Sequence, residues 1–304
     1  MTQRQAIFIL GGGSGTSALT RLLSLSGCAL PGSLLGADDF NPRGYWEPTE
    51  ALKLNDEFLL KHGSTFFDPT LRLQEEASVD AGIEAEFLDG LGEFLRSCPD
   101  DGRPVLIKEP RITPLFKWWK RAAQREGIAV KVVNATRHPT EVAAALASVL
   151  RASVELSNAI WLKYNLLAER LSRDVPRVFV SYANVLEDWR GQVIRVSNAL
   201  SVDLTPDNPE VEGFITRDLY RKRHSGPPVE VFGQPWLARA HSLFVAAGQD
   251  EPVDLADFDA LYDAYRVTER AFRVALNDSR AKFKPDMIRA MNQKLPRWTA
   301  GREY

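Results

Sequence analysis

The opening of the chain limits its fold more than any other stretch. Ala6, Ile7, Phe8, Ile9 and Leu10 form a continuous apolar run, and Gly11-Gly12-Gly13-Ser14-Gly15-Thr16-Ser17 follows at once. Ala18, Leu19, Leu22 and Leu23 come next, the leucines at helical spacing. A short apolar run closed by glycines reads as a buried strand. The order is therefore strand, glycine loop, helix. Such a loop aims backbone N–H groups from a helix N-terminus, where unpaired donors and partial positive charge favour an anion. A glycine turn can also be a mere tight connection. Ser14, Thr16 and Ser17 place hydroxyls where a phosphate would sit, which favours the anion site.

Two common phosphate-binding patterns do not fit. A Walker A loop needs a lysine directly before its terminal Ser/Thr, and here Gly15 precedes Thr16. A dinucleotide fingerprint needs an acidic residue at the end of a second strand. Asp38 and Asp39 instead sit among Pro31, Gly32, Gly36 and Pro42, a loop-like setting. A standard dinucleotide fold is rejected.

Three further β-rich runs follow: Val105 to Ile107, Val130 to Val133, and Val178 to Val180. Helical patterns separate them, the clearest from Glu155 to Leu171, with Leu156, Ile160, Leu162, Leu166, Leu167 and Leu171 apolar. Strands alternating with helices predict an α/β fold: a mostly parallel sheet flanked by helices on both faces. From about Pro227 onward the pattern is helical, with Leu261, Tyr262, Tyr265, Val267, Ala271, Phe272 and Val274 at amphipathic spacing. The 304 residues are read as one domain, 1–304, with a core over about 5–225 and a helical C-terminal extension over about 226–304.

Bulk properties exclude several classes. The formal net charge of −2 gives no global pull toward nucleic acid or anionic membrane. Two cysteines and four scattered histidines form neither a disulfide framework nor a zinc motif, and no metal is expected. No apolar run approaches the roughly 20 residues needed to span a bilayer. The first run ends in glycines too early for a signal peptide, so the cytoplasm is the expected location.

In a parallel sheet, ligands bind at the carboxyl ends of the strands. The residues there are Lys108-Glu109-Pro110-Arg111 after the second run, Asn134-Ala135-Thr136-Arg137-His138-Pro139 after the third, and Ser181-Tyr182 after the fourth. Any one cation could be a solvated charge or a helix cap. Their common position at strand ends favours one site. Neither the third nor the fourth run ends in an aspartate, which Mg²⁺-dependent phosphoryl transfer needs. Arginines around a phosphate site without a metal carboxylate fit transfer of a less highly charged group.

With these residues in hand, the chain resembles bacterial members of the sulfotransferase family, which use 3′-phosphoadenosine-5′-phosphosulfate (PAPS) and have a P-loop-like fold. Ile9 to Leu23 resembles the loop that holds the 5′-phosphosulfate. Asn134 to Ser148 resembles the strand-loop-helix that holds the 3′-phosphate. Asn41-Pro42-Arg43-Gly44-Tyr45-Trp46-Glu47 and Lys108-Glu109-Pro110-Arg111 resemble two further family segments. The likeness covers roughly residues 5–225.

The resemblance implies roles. Gly12, Gly13, Ser14, Gly15, Thr16 and Ser17 would wrap the 5′-phosphate, and Arg137 would grip the 3′-phosphate in bidentate fashion. Glu47 is the first choice for the base that takes the acceptor proton, Glu109 the second. Lys108 would stabilise charge on the sulfonate or the bridging oxygen. The product would be adenosine 3′,5′-bisphosphate, and the acceptor a hydroxyl or amine of a small molecule or carbohydrate.

Two departures stand out. Gly13 occupies the position where the family usually has Arg or Lys, and Ala145 the position where it usually has serine. Ser148, one turn on, is the expected substitute. Arg217, Arg221, Lys222, Arg223 and His224 are the expected compensating cations; Arg221 and Arg223 are assigned to the nucleotide, against the alternative of a solvated helix face. The aromatic residues of the segment Trp46 to Pro69, with Trp118, Trp119, Trp161 and Tyr164, either line an acceptor pocket or, the favoured reading, pack the core. The C-terminal part would cover the acceptor site or mediate a homodimer. Two other functions stay open: a P-loop kinase, against which the missing lysine and aspartate count, and a sulfotransferase-fold binding protein without catalytic activity.

Overall fold

The structure is a computed structural model and describes residues 3–12, 15–39, 41–76, 78–216, 224 and 226–282. Four strands form the sheet: β1 (Gln5–Leu10), β2 (Val105–Ile107), β3 (Ala129–Thr136) and β4 (Arg177–Ser181). Every pairing is parallel and the order is β2-β1-β3-β4. The helices are α1 (Thr16–Leu25), α2 (Thr49–Lys61), α3 (Arg72–Glu75), α4 (Ala81–Ser97), α5 (Ile112–Arg125), α6 (Pro139–Leu150), α7 (Val154–Leu171), α8 (Tyr182–Glu187), α9 (Trp189–Leu200), α10 (Pro209–Phe214), α11 (Trp236–Gly248) and α12 (Leu255–Lys282).

The apolar opening run is β1, and it is central, so both of its faces must be covered. Side chains alternate across a strand. Ala6, Phe8 and Leu10 therefore pack with Phe94 of α4 and Leu115 and Trp119 of α5, while Ile7 and Ile9 pack with Leu19 and Leu22 of α1 and Val193 of α9. Helices thus flank both faces, as the alternating pattern predicts. Trp118 and Trp119 are core residues: the Phe8 ring meets Trp119 edge-on at 5.7 Å. Trp161 is equally buried, and its indole N–H donates to the Arg137 carbonyl at 2.9 Å.

One strand end differs from expectation. The third run does not stop at Val133. Asn134, Ala135 and Thr136 continue β3, pairing with β4 through Asn134↔Phe179 and Thr136↔Ser181. A polar residue survives in this buried strand because Asn134 Nδ2 donates to Ser172 Oγ at 3.0 Å. Arg137 is consequently the first residue past the strand, not the fourth.

The late helices are not detached. Leu237 and Phe244 of α11, and Phe258, Leu261 and Tyr265 of α12, form a third core with Trp161 and Leu162 of α7 and Phe179 of β4. Among the described residues, no helix is long and apolar enough to cross a membrane.

Candidate active site

The glycine loop leads into α1 through Gly15, whose φ of +74° is left-handed and suits glycine. A Cβ at Gly15 would also collide with the Tyr182 ring. Gly12 packs closely too: a Cβ there would come within 2.9 Å of Tyr164 Cβ. Gly15, Thr16 and Ser17 open onto a cavity of about 340 Å³. Gly13 and Ser14 lie outside the described residues.

Other chain segments reach this cavity. Lys108, directly after β2, is almost fully buried, and its ammonium donates to Ser17 Oγ at 3.2 Å and to Glu47 Oε1 at 2.7 Å. Glu47 arrives from the segment before α2 and is also buried. Arg137, after β3, completes the group with Tyr182, after β4. The ammonium stands at the N-terminus of α1, so two positive sources face one point, and among the described residues that line the cavity Glu47 is the carboxylate that opposes them. A buried ammonium and carboxylate tolerate this depth because each satisfies the other.

Arg137 is held in a definite pose. Its Nε donates at 2.7 Å to Oε2 of Glu141, in the first turn of α6, and its guanidinium lies 4.7 Å from the Tyr182 ring centre. His138 caps α6: its Nδ1 accepts from the Thr140 N–H at 3.2 Å, which leaves Nε2 to donate to the Gly226 carbonyl at 2.8 Å. The His224 N–H donates to Glu141 Oε1 at 2.7 Å, and the His138 and His224 rings stack at 5.4 Å. The end of the late basic segment therefore abuts Arg137. Arg217, Arg221, Lys222 and Arg223 lie outside the described residues.

Two sequence-predicted residues are placed elsewhere. Glu109 does not line the cavity. It is fully buried behind it, accepting from Asn55 Nδ2 at 2.7 Å, the Arg111 guanidinium at 2.5 Å and the Arg111 N–H at 3.1 Å. Burial raises its pKa from 4.5 to about 7, with the Arg111 charge working against that rise. The reason is strand geometry: Lys108 and Glu109 are consecutive at the end of β2 and point to opposite sides. Ser148 is also turned away. Its hydroxyl donates to the Ala145 carbonyl of its own helix at 2.8 Å, while Ala145 itself lines the cavity.

Two further residues matter that the sequence reading did not single out, Glu141 and Phe214. Glu141 stands in the first turn of α6 and reaches back to Arg137, four residues earlier, a spacing that was visible in the sequence. Phe214 lines the cavity from a segment with no motif of its own, and Phe66 lines it from the 46–69 segment whose aromatic residues were candidates for a pocket.

Among solved structures, the chain is similar to the sulfotransferase domain from the Synechococcus PCC 7002 olefin synthase, at 17% identity over 87% of this chain and 96% of that one, with a TM-score of 0.44. It is similar to the sulfotransferase domain from the curacin biosynthetic pathway at 12% identity, over 84% of this chain and 100% of that one, with a TM-score of 0.42. It is similar to sulfotransferase STF9 from Mycobacterium avium at 13% identity, over 88% of this chain and 77% of that one, with a TM-score of 0.41. No family profile matches the sequence, and no curated protein matches it significantly. These likenesses concern the path of the chain.

Proposed function

We propose that the protein transfers a sulfuryl group from PAPS to an acceptor hydroxyl. The observation that carries the reading is the position of the Lys108 ammonium, between Ser17 Oγ and Glu47 Oε1, on a cavity that Arg137 also lines. This set suits the two anionic ends of PAPS. The α1 N-terminus and Lys108 would take the phosphosulfate end, and Arg137 the 3′-phosphate. The bond between sulfur and the bridging phosphate oxygen breaks as the acceptor oxygen bonds to sulfur. Glu47 accepts the hydroxyl proton, and Lys108 stabilises the charge left on the bridging oxygen. Glu109, away from the cavity, takes no part in proton transfer.

The experiment is a calorimetric titration with adenosine 3′,5′-bisphosphate in the presence of EDTA, followed by turnover of labelled PAPS with a panel of alcohols. Micromolar binding is expected. Absence of both heat and thermal shift rejects the reading.

One observation favours a second reading, a binding protein that keeps the nucleotide site without turnover. Ala145 presents no hydroxyl to the cavity, and Ser148 is turned onto its own helix. A Gly13→Arg variant separates the two. Turnover seen only in the variant makes the natural chain a binder, and turnover by the natural chain dismisses this second reading.

A further inference from the structure

Part of the cavity wall has a chemistry of its own. Ala18, Gly44, Phe66, Pro110 and Phe214 supply apolar surface. The polar side chains at its edge are engaged with the protein. Asn41 Nδ2 donates to the Gly44 carbonyl at 2.8 Å, and the Tyr45 hydroxyl donates to the Asp38 carboxylate at 3.0 Å. Arg43 donates to the Phe214 carbonyl and, at 2.6 Å, to Thr216 Oγ1. An incoming molecule meets hydrocarbon here, with the Glu47–Lys108 pair as its charged counterpart in the same cavity.

Phe66 is fixed in this wall from behind. Its carbonyl accepts from the Tyr164 hydroxyl at 3.0 Å, and its ring meets Tyr164 edge-on at 5.6 Å. The Arg111 guanidinium lies 5.4 Å from the ring centre on another side. Two residues on, the Asp68 carbonyl accepts from the Lys163 ammonium at 2.7 Å, and the Pro69 carbonyl accepts from the Tyr265 hydroxyl at 2.6 Å. Lys163 is buried, a costly position for an ammonium, and it is spent on holding this loop.

We propose that the acceptor is a compact apolar alcohol, a phenol or an alkanol, which lays its hydrocarbon against Phe66 and presents one hydroxyl to Glu47. Carbohydrates are disfavoured. A sugar brings several hydroxyls, and each one stripped of water without a partner lowers affinity roughly ten-fold. The inference rests on the sulfuryl-transfer reading for the role of Glu47, but the apolar pocket is tested separately from the nucleotide site.

The test is saturation-transfer NMR on the full chain with 2-naphthol, 1-hexanol and methyl β-glucoside, with and without adenosine 3′,5′-bisphosphate. Naphthol and hexanol are expected to bind and the glucoside is not. Phe66→Ala is expected to weaken naphthol binding ten-fold or more and to leave nucleotide affinity within about two-fold. Phe66→Leu, which restores hydrocarbon with less disturbance to the fold, is expected to recover most of the binding. The proposal is overturned if neither apolar alcohol binds, if the glucoside binds as well as they do, or if Phe66→Ala leaves naphthol binding unchanged. Naphthol binding without any nucleotide binding would sink the sulfuryl-transfer reading while supporting the apolar pocket.

Discussion

The Arg137 guanidinium rests over the Tyr182 ring, 4.7 Å from its centre. The two residues are neighbours because Thr136 and Ser181 are paired in the sheet, and each is followed by the residue that steps off its strand. The same ring closes against Gly15. Tyr182 thus acts as a spacer between the turn that starts α1 and the downstream arginine.

That contact makes Gly15 sensitive to a single methyl group. Gly15→Ala combines a left-handed backbone with a clash, and should cost about 1–3 kcal/mol of stability and abolish nucleotide binding. Removing the obstructing ring with Tyr182→Ala in the same chain should make the pair of substitutions less than additive in urea denaturation. Strict additivity would show that the ring is not what Gly15 avoids.

Arg137→Lys keeps the charge but loses the forked geometry and the flat face that lies on Tyr182. The dissociation constant for adenosine 3′,5′-bisphosphate is expected to rise ten-fold or more by calorimetry. An unchanged constant would remove Arg137 from the nucleotide site.

Glu47→Gln should lower kcat by about 10²–10⁴ and leave nucleotide affinity within a few-fold, the behaviour of a lost general base. Lys108→Met leaves the Glu47 carboxylate buried without its partner and should cost about 3–5 kcal/mol. Adding Glu47→Gln to Lys108→Met should recover part of that loss in a thermal melt. A double variant no more stable than Lys108→Met alone would mean the buried charge is not the problem.

Glu109 predicts a pH dependence whose sign is fixed by its environment. The folded chain binds its proton up to a pH of about 7, and the unfolded chain only up to 4.5. Between those values the folded state holds more protons, so stability falls as pH rises through that window and levels off above it. The full effect of this one group is roughly 3 kcal/mol. Glu109→Gln keeps an acceptor for Asn55 and should flatten the dependence, read as urea midpoints at pH 5, 6, 7 and 8. Parallel curves for the two proteins would contradict this.

What the sequence reveals follows from the range of the interactions involved. The strand, loop and helix at the start are legible because they are local: five apolar residues, glycines, then leucines at helical spacing. The meeting of Ser17, Lys108 and Arg137 is legible because parallel strands bring their carboxyl ends together. The end of β3 is hidden because Asn134 looks like a loop residue until Ser172, 38 positions away, supplies its partner. The separation of Lys108 from Glu109 is hidden because strand alternation says that the two point oppositely, without saying which faces the cavity. The sequence marks the 46–69 segment as a source of pocket aromatics but does not single out Phe66, whose position is set by Tyr164, 98 residues downstream.

The carbonyl of Pro69 is gripped by Tyr265, 196 positions away in the chain, and the N–H of Leu71 by Glu269. The last described helix is therefore a remote adjuster of the pocket wall. If the proposed chemistry holds, substitutions along α12 would alter the Phe66 side of the cavity while leaving the Arg137 side in place, so acceptor selectivity and nucleotide affinity would be free to diverge.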